Sequence, residues 1–253
     1  MKLRNKKKIY FASDNHLGSP NFKKSLEREK VFVKWLDYVR ADAQEIFLLG
    51  DLIDFWFEYD KVIPKGFVRT FGKLAEICDS GIKVNFFPGN HDHWVNDYFE
   101  KELGLIVWKK PKEIKINDHI FFVGHGDGLG PKDYGYKFLK VILTNRINKF
   151  LFKLIHPDLG VRLGQFLSKK NKIISGNEKK FLGKEKEWLI NFCQLKLKEK
   201  NFNYFIFGHR HLPMKVKLNK DSCYINLGDW ISNFTYAVYN GKTIDLKSYS
   251  SSK

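Results

Sequence analysis

Short apolar runs that each end in a polar or glycine-rich corner recur along the first half of the chain. Lys8-Ile-Tyr-Phe-Ala12 runs into Ser13-Asp-Asn-His16, and Glu45-Ile-Phe-Leu-Leu49 into Gly50-Asp51. Lys83-Val-Asn-Phe-Phe87 runs into Pro88-Gly-Asn-His-Asp92, and His119-Ile-Phe-Phe-Val123 into Gly124-His-Gly-Asp127. Runs of this length bounded by turn residues predict buried strands followed by loops. Between the first three lie stretches of helical period. One is Leu26 to Val39, with Val31, Phe32, Trp35, Leu36 and Val39 on one face; the other is Phe67 to Cys78, with Phe67, Phe71, Leu74, Ala75 and Cys78 on one face. Strand, helix, strand repetition predicts an α/β layered fold whose sites lie in the loops at the carboxyl ends of the strands.

The pattern breaks at Gly128. From there to about Lys200 the chain reads as helical and amphipathic: Phe138, Ile142, Ile147, Phe150, Leu151 and Leu154 recur at helical spacing among lysines. A further helix is predicted around Glu185 to Lys198, carrying Trp188, Leu189, Phe192 and Leu195. Strand character returns at Asn203 to Phe207, followed by Gly208-His-Arg-His211, then at Lys215 to Leu218, at Cys223 to Leu227 and in a terminal hairpin around Asn240-Gly241. The expected organisation is one domain over 1–253, interrupted by a helical cap over 128–200.

Length and composition sharpen this outline. A chain of 253 residues suits one domain with an elaborate insertion. With 43% hydrophobic and 29% charged residues it falls outside the disordered and collagen-like classes, and no apolar run is long enough to span a bilayer. The net charge of +17 makes an anionic partner the default: nucleic acid, an anionic membrane surface or a phosphorylated small molecule. Lysine supplies 38 of the 45 cations, a skew that genome-wide composition can also produce. The charge is unevenly placed, since residues 128–200 hold 17 Lys or Arg against 6 Asp or Glu. Three scattered cysteines without a C-x-x-C spacing point to neither a disulfide framework nor a cysteine zinc site. The basic start is followed by too short an apolar stretch for a signal peptide, so a cytoplasmic protein is expected.

Six of the eight histidines fall in or beside the strand-end loops, together with Asp14, Asp51, Asn90, Asp92 and Asp127. Asp14, Asp51 and Asn90 offer oxygen donors, while His16, His125, His209 and His211 offer imidazoles. This mixed set suits divalent Mn, Fe, Zn or Co rather than calcium. Seven donors are too many for one ion. Two ions bridged by one carboxylate would use them all, lower the pKa of bound water and clamp a phosphoryl oxygen, which points to phosphoester or phosphoanhydride hydrolysis.

The blocks Asp14-x-His16, Gly50-Asp51, Gly89-Asn-His-Asp92, Gly124-His125 and Gly208-His-x-His211 resemble the calcineurin-like metallophosphoesterase signature, in its order and across nearly the whole chain. The resemblance implies a four-layer αββα sandwich with a dinuclear centre at one edge. One ion would be held by Asp14, His16, Asp51 and His211, and the other by Asp51 as bridge, Asn90, His125 and His209. His91 matches the histidine that contacts the phosphoryl group in many members, with Asp92 expected to orient it. Asn15, Asp127 and Arg210, beside the ligands, are candidate substrate contacts.

Gly50-Asp-Leu-Ile-Asp-Phe-Trp-Phe57, Gly208-His-Arg-His-Leu-Pro213 and Asn226-Leu-Gly-Asp-Trp230 narrow the resemblance to the UDP-2,3-diacylglucosamine pyrophosphohydrolases of lipid A biosynthesis. That family implies hydrolysis of UDP-2,3-diacylglucosamine to UMP and 2,3-diacylglucosamine 1-phosphate (lipid X), with manganese, at the inner face of the cytoplasmic membrane. Well-known members carry arginine where this chain has His91. A basic amphipathic cap fits such a substrate, with apolar side chains for the acyl chains and cations for the diphosphate and for anionic lipid. A nuclease or nucleotide phosphohydrolase is the alternative, against which stands the scarcity of arginine and the wealth of aliphatic residues in the cap. A regulatory protein with a vestigial site would be expected to have lost ligands, and all seven are present.

Overall fold

The computed structural model describes residues 1–130, 134–175, 180–181 and 183–250. Strands β1 (Lys8–Ala12), β2 (Ala43–Leu48), β3 (Lys83–Phe86) and β4 (Ile106–Val107) are mutually parallel, and β10 (Thr235–Tyr239) and β11 (Ile244–Ser248) extend them antiparallel. Together they form a six-stranded sheet in the order β11-β10-β1-β2-β3-β4. A second sheet runs β5-β6-β7-β9-β8, with β5 (Lys112–Ile116), β6 (His119–Val123), β7 (Tyr204–Phe207), β8 (Met214–Lys217) and β9 (Cys223–Asn226). In it β6, β7 and β9 are parallel.

The alternation of side chains along each central strand divides the interior into three cores. Tyr10 and Ala12 of β1, with Ile46 and Leu48 of β2, face helices α1 (Phe22–Arg40) and α2 (Val68–Asp79). Ile9, Phe11 and Phe47 face the other sheet, where they meet Phe121, Val123, Ile206 and Ile225. Phe122, Phe205, Phe207 and Tyr224 point outward again and are covered by Leu189, Ile190 and Cys193 of a carboxyl-terminal helix over Trp188–Glu199. Helices, sheet, sheet and helix make the expected αββα order. Strands buried on both faces explain why the sequence shows continuous apolar runs there rather than alternation.

The 128–200 stretch, expected as one cap, divides in two. Numbered after the short α3 (Tyr98–Lys101), helices α4 (Tyr134–Thr144), α5 (Arg146–Lys153) and α6 (Pro157–Ser175) lie over the loop side of the body, whereas α7 (Trp188–Glu199) is the outer layer of the sandwich itself. Its buried face is Leu189, Ile190 and Cys193, and Leu195 is exposed. The α4–α6 segment is anchored at a few points. The Trp94 indole donates to the Leu143 carbonyl at 2.7 Å. The Phe152 ring packs on Phe57 and Trp94 at 4.7 and 4.9 Å. At Gly164 a Cβ would collide with the Phe55 ring, so α6 approaches the body more closely than any larger residue allows. Elsewhere its apolar residues face outward: Phe138 is 69%, Ile147 68% and Phe150 59% exposed. Among the described residues, no helix is long and apolar enough to cross a membrane.

Candidate active site

Every predicted ligand lies at the carboxyl end of a parallel strand. Asp14 and His16 follow β1, Asp51 follows β2, Asn90 follows β3, His125 follows β6, and His209 and His211 follow β7. The two sheets present these ends to the same edge of the sandwich, and backbone bonds knit the loops together. Asp14 N–H donates to the Gly50 carbonyl at 3.0 Å and His16 N–H to the Asp51 carbonyl at 2.8 Å. The loops are tightly bent: Asp14, His16, Asp51, His209 and His211 all hold positive φ, between 45° and 67°. For residues with a side chain this region costs about 1–3 kcal/mol each, and it persists only where surrounding contacts over-determine it. Gly89 is glycine for a related reason, since a Cβ there would collide with the Asp51 carboxylate.

The side chains converge in two groups that share Asp51. Asp14, His16, Asp51 and His211 bring donor atoms within 4.8 Å of one another, as do Asp51, His125 and His209. Asn90 joins the second group, its Oδ1 lying 3.1 Å from His125 Nε2. Three imidazoles are turned by a partner at Nδ1 so that Nε2 points inward. Nδ1 of His16 meets Asp54 Oδ1 at 3.0 Å, that of His125 meets the Leu49 carbonyl at 2.7 Å, and that of His211 lies 3.5 Å from Asp229 Oδ2. Partners of this kind fix the tautomer and aim the ring.

The donor set fits divalent cations. His16 Nε2 and His211 Nε2 face each other at 3.2 Å, and His209 Nδ1 faces His125 Nε2 at 3.3 Å, contacts that leave lone pairs in need of a positive charge between them. Asp14 Oδ1 is buried without a hydrogen-bond partner among the described residues, 3.3 Å from His211 Nε2. A buried orphan carboxylate oxygen beside converging imidazole nitrogens has the chemistry of a metal ligand. The crowding of these groups shows in their titration directions. Burial pushes the Asp14 carboxyl up, against the pull of His211 and His125. For Asp51 burial acts the same way, but the imidazoles of His125 and His91 outweigh it and hold the group well below the usual carboxylate range. Burial opposes charge on His125, yet Asp51 raises it well above the ordinary imidazole value; burial and His125 together push His209 down to about 3.

His91 flanks the first group. Its N–H donates to Asp51 Oδ1 at 2.9 Å, and its Nε2 lies 4.0 Å from Asp51 Oδ2. Nδ1 is held by the Asp54 carbonyl at 2.9 Å and by Ser168 Oγ of α6 at 3.0 Å. Asp92, expected to orient this ring, does something else. Its carboxylate accepts backbone N–H groups from Asp51 (3.2 Å), Leu52 (2.8 Å), Ile53 (3.3 Å) and Gly89 (2.7 Å), which ties the Asp51 loop to the Asn90 loop. Burial and the Asp51 charge push that carboxyl up to about 7, against the pull of the N–H donors.

The three expected substrate contacts part ways. Asp127 is buried beside the second group and paired with Lys140 at 2.5 Å. Asn15 is buried between the first two ligands, its amide nitrogen without a partner among the described residues. Arg210 points away from the donors into a bidentate pair with Glu187 at the start of α7, at 2.9 and 3.0 Å, with both side chains buried. Sequence reasoning passed over Asp54 and Asp229, although both stand in blocks it singled out, because nothing in residue spacing says which carboxylate a folded loop turns toward a histidine.

Residues 7–213 match the calcineurin-like phosphoesterase family. The chain is 36% identical to the UDP-2,3-diacylglucosamine hydrolase of Porphyromonas gingivalis, covering 95% of this chain and 97% of that protein. It is 26% identical to the enzyme of the same name from Haemophilus influenzae, covering 90% and 92%. Among solved structures it is similar to a phosphoesterase from E. coli, with 15% identity, a TM-score of 0.49, and coverage of 95% of this chain and 92% of that one. With the family matched over most of its length, and all seven donors gathered at one edge of the sandwich, the chain belongs to the calcineurin-like phosphoesterases.

Proposed function

We propose that this protein hydrolyses UDP-2,3-diacylglucosamine to UMP and 2,3-diacylglucosamine 1-phosphate. One observation carries the reading: a chain 36% identical, over nearly its full length, to an enzyme of that name also gathers seven oxygen- and nitrogen-donor residues at one edge, six of them around Asp51. Two divalent cations, manganese by preference, would be held by Asp14, His16, Asp51 and His211 and by Asp51, Asn90, His125 and His209; when bound they supply Lewis acidity to the diphosphate and to the attacking water. The chain's own residues do the rest. Water attacks the phosphorus proximal to uridine, the bond from that phosphorus to the bridging oxygen breaks, and the sugar 1-phosphate leaves. His91, whose Nδ1–H is held by two oxygen acceptors, keeps Nε2 on the Asp51 side, where in the cationic form of the ring it donates to the charge that develops on the phosphoryl group. Asp92 keeps the Asp51 and Asn90 loops in register, and the basic, apolar surface of α5 and α6 meets the acyl chains and the inner membrane face.

The test is a manganese-supplemented assay of UDP-2,3-diacylglucosamine, bis(p-nitrophenyl) phosphate, single-stranded nucleic acid and a phosphomonoester, side by side, with an Asp51→Asn control. Preferred turnover of the first, label from ¹⁸O water appearing in UMP, and loss of activity in the folded Asp51→Asn protein are expected. Preferred cleavage of nucleic acid or of the monoester overturns the reading.

A further inference from the structure

A cavity of ≈ 360 Å³ opens directly off the metal-ligand cluster, with His125 and Asp127 in its wall. The remaining walls come from four places: the Phe87-Pro88 corner after β3, the Trp108–Pro111 link between β4 and β5, Gly128-Leu129 just after Asp127, and α4. None of these residues belongs to the sequence blocks that carry the metal chemistry, apart from the two beside β6.

Its chemistry is particular. Lys109, Lys110, Lys137 and Lys140 line it against a single acid, Asp127, which is already paired with Lys140. Trp108 is half-buried and held in position, its indole N–H donating to Asn85 Oδ1 at 2.9 Å and the Lys112 ammonium lying 2.9 Å from its ring centroid. A fixed aromatic ring within a cluster of ammonium groups suits a planar, polar heterocycle carrying a phosphate. Phe87, Pro88, Pro111, Leu129 and Val141 complete the wall, so the cavity offers apolar faces to a ring and ammonium groups to its phosphate, whereas a long alkyl chain would bury the lysine heads against hydrocarbon at a desolvation cost. An aromatic cluster lies on the other flank of Asp51, where Ser168 of α6 reaches His91 and the Phe55 and Phe152 rings pack against the buried Phe57 and Trp94.

We infer that this cavity is the subsite for the nucleoside 5′-phosphate half of the substrate, with the base against Trp108 and the phosphate among the lysines. The acylated sugar 1-phosphate then extends along the His91 flank toward α5 and α6. The two halves of the molecule diverge from the cluster in opposite directions, so the cavity sets which phosphorus faces the attacking water. This inference rests on the proposed function and adds to it the direction in which the substrate binds.

Calorimetric titration of the manganese-loaded protein with UMP and, separately, with 2,3-diacylglucosamine 1-phosphate tests it. Three variants are compared with the parent protein: Trp108→Ala, Lys109→Ala with Lys110→Ala, and Val141→Trp. Val141 is 66% exposed on α4 and lines the cavity, so Val141→Trp fills the space without touching a core even if Trp108→Ala fails to fold. UMP affinity is expected to fall by about tenfold or more while affinity for the acylated sugar phosphate stays within about twofold. Unchanged UMP affinity, or an equal loss for both ligands, overturns the inference. Absence of UDP-2,3-diacylglucosamine turnover by the parent enzyme overturns the proposed function instead, and the UMP titration still decides the cavity.

Discussion

Asp54 divides its carboxylate between two tasks, with Oδ1 taking His16 Nδ1 at 3.0 Å and Oδ2 taking the Ser168 hydroxyl at 2.8 Å. Its own carbonyl meets His91 Nδ1, so one residue fixes both imidazoles on that flank of the cluster. Replacing it by asparagine leaves the size unchanged but removes the charge that favours an Nδ1–H tautomer on His16. Loss of such a supporting carboxylate typically weakens metal affinity by about 10–100-fold. The Asp54→Asn protein is therefore expected to keep its melting temperature while the manganese concentration for half-activation, and the manganese dissociation constant by calorimetry, rise by that order. An unchanged metal titration would mean that His16 is aimed by its backbone alone. The sequence made the seven donors readable because they repeat at strand ends. Asp54 was not readable in the same way, since its role depends on the left-handed turns at His16 and Asp51, a property of the folded backbone rather than of spacing.

Elements were legible where burial imposes a period. The β1, β2, β3, β6, β7 and β9 runs are visible because both faces of each strand are covered, and α1 because its buried residues recur at helical intervals. Lys112–Ile116 alternates charged and apolar residues on the edge of the second sheet and carries no run to notice. The helix α7 was found, but its role was misplaced: basic residues cover its outer face like those of the cap, and only contact with Phe205 and Phe207 reveals it as sandwich. Glu187, at the start of α7, pairs with Arg210 in the loop between His209 and His211, and this buried pair locks the outer helix to the ligand loop. Removing one partner of such a pair strands the other charge, at a cost of about 3–5 kcal/mol. Glu187→Ala is expected to lose stability of that size in urea denaturation, with KM little changed for the fraction that stays folded. A raised KM at full stability would instead place Arg210 at the substrate.

At the scale of the molecule, charge and apolar exposure coincide on one surface. The helix α5 packs on the body through the half-buried Phe152 and exposes Ile147, Phe150 and Leu151, with Leu154 just after it, beside Arg146, Lys149 and Lys153. Lysines scattered by composition alone would have no reason to share a surface with unburied aliphatic side chains. Under the proposed function, an exposed patch of this make-up is the part of the molecule expected to lie in an anionic lipid interface. Each lysine near such a surface adds about 1 kcal/mol of attraction, and the apolar side chains add burial in the acyl boundary. The two contributions respond to different perturbations, which makes them separable. The protein is expected to cosediment with vesicles containing phosphatidylglycerol far more than with pure phosphatidylcholine. Raising the salt to about 1 M, where the screening length falls to roughly 3 Å, should remove most of that preference. A combined Ile147→Ser, Phe150→Ser and Leu154→Ser protein should lose binding to both vesicle types while keeping its melting temperature, because these side chains contribute little to any core. If that protein still binds anionic vesicles like the parent, the attraction is lysine charge alone, and the exposed apolar face of α5 serves the substrate's acyl chains rather than the membrane.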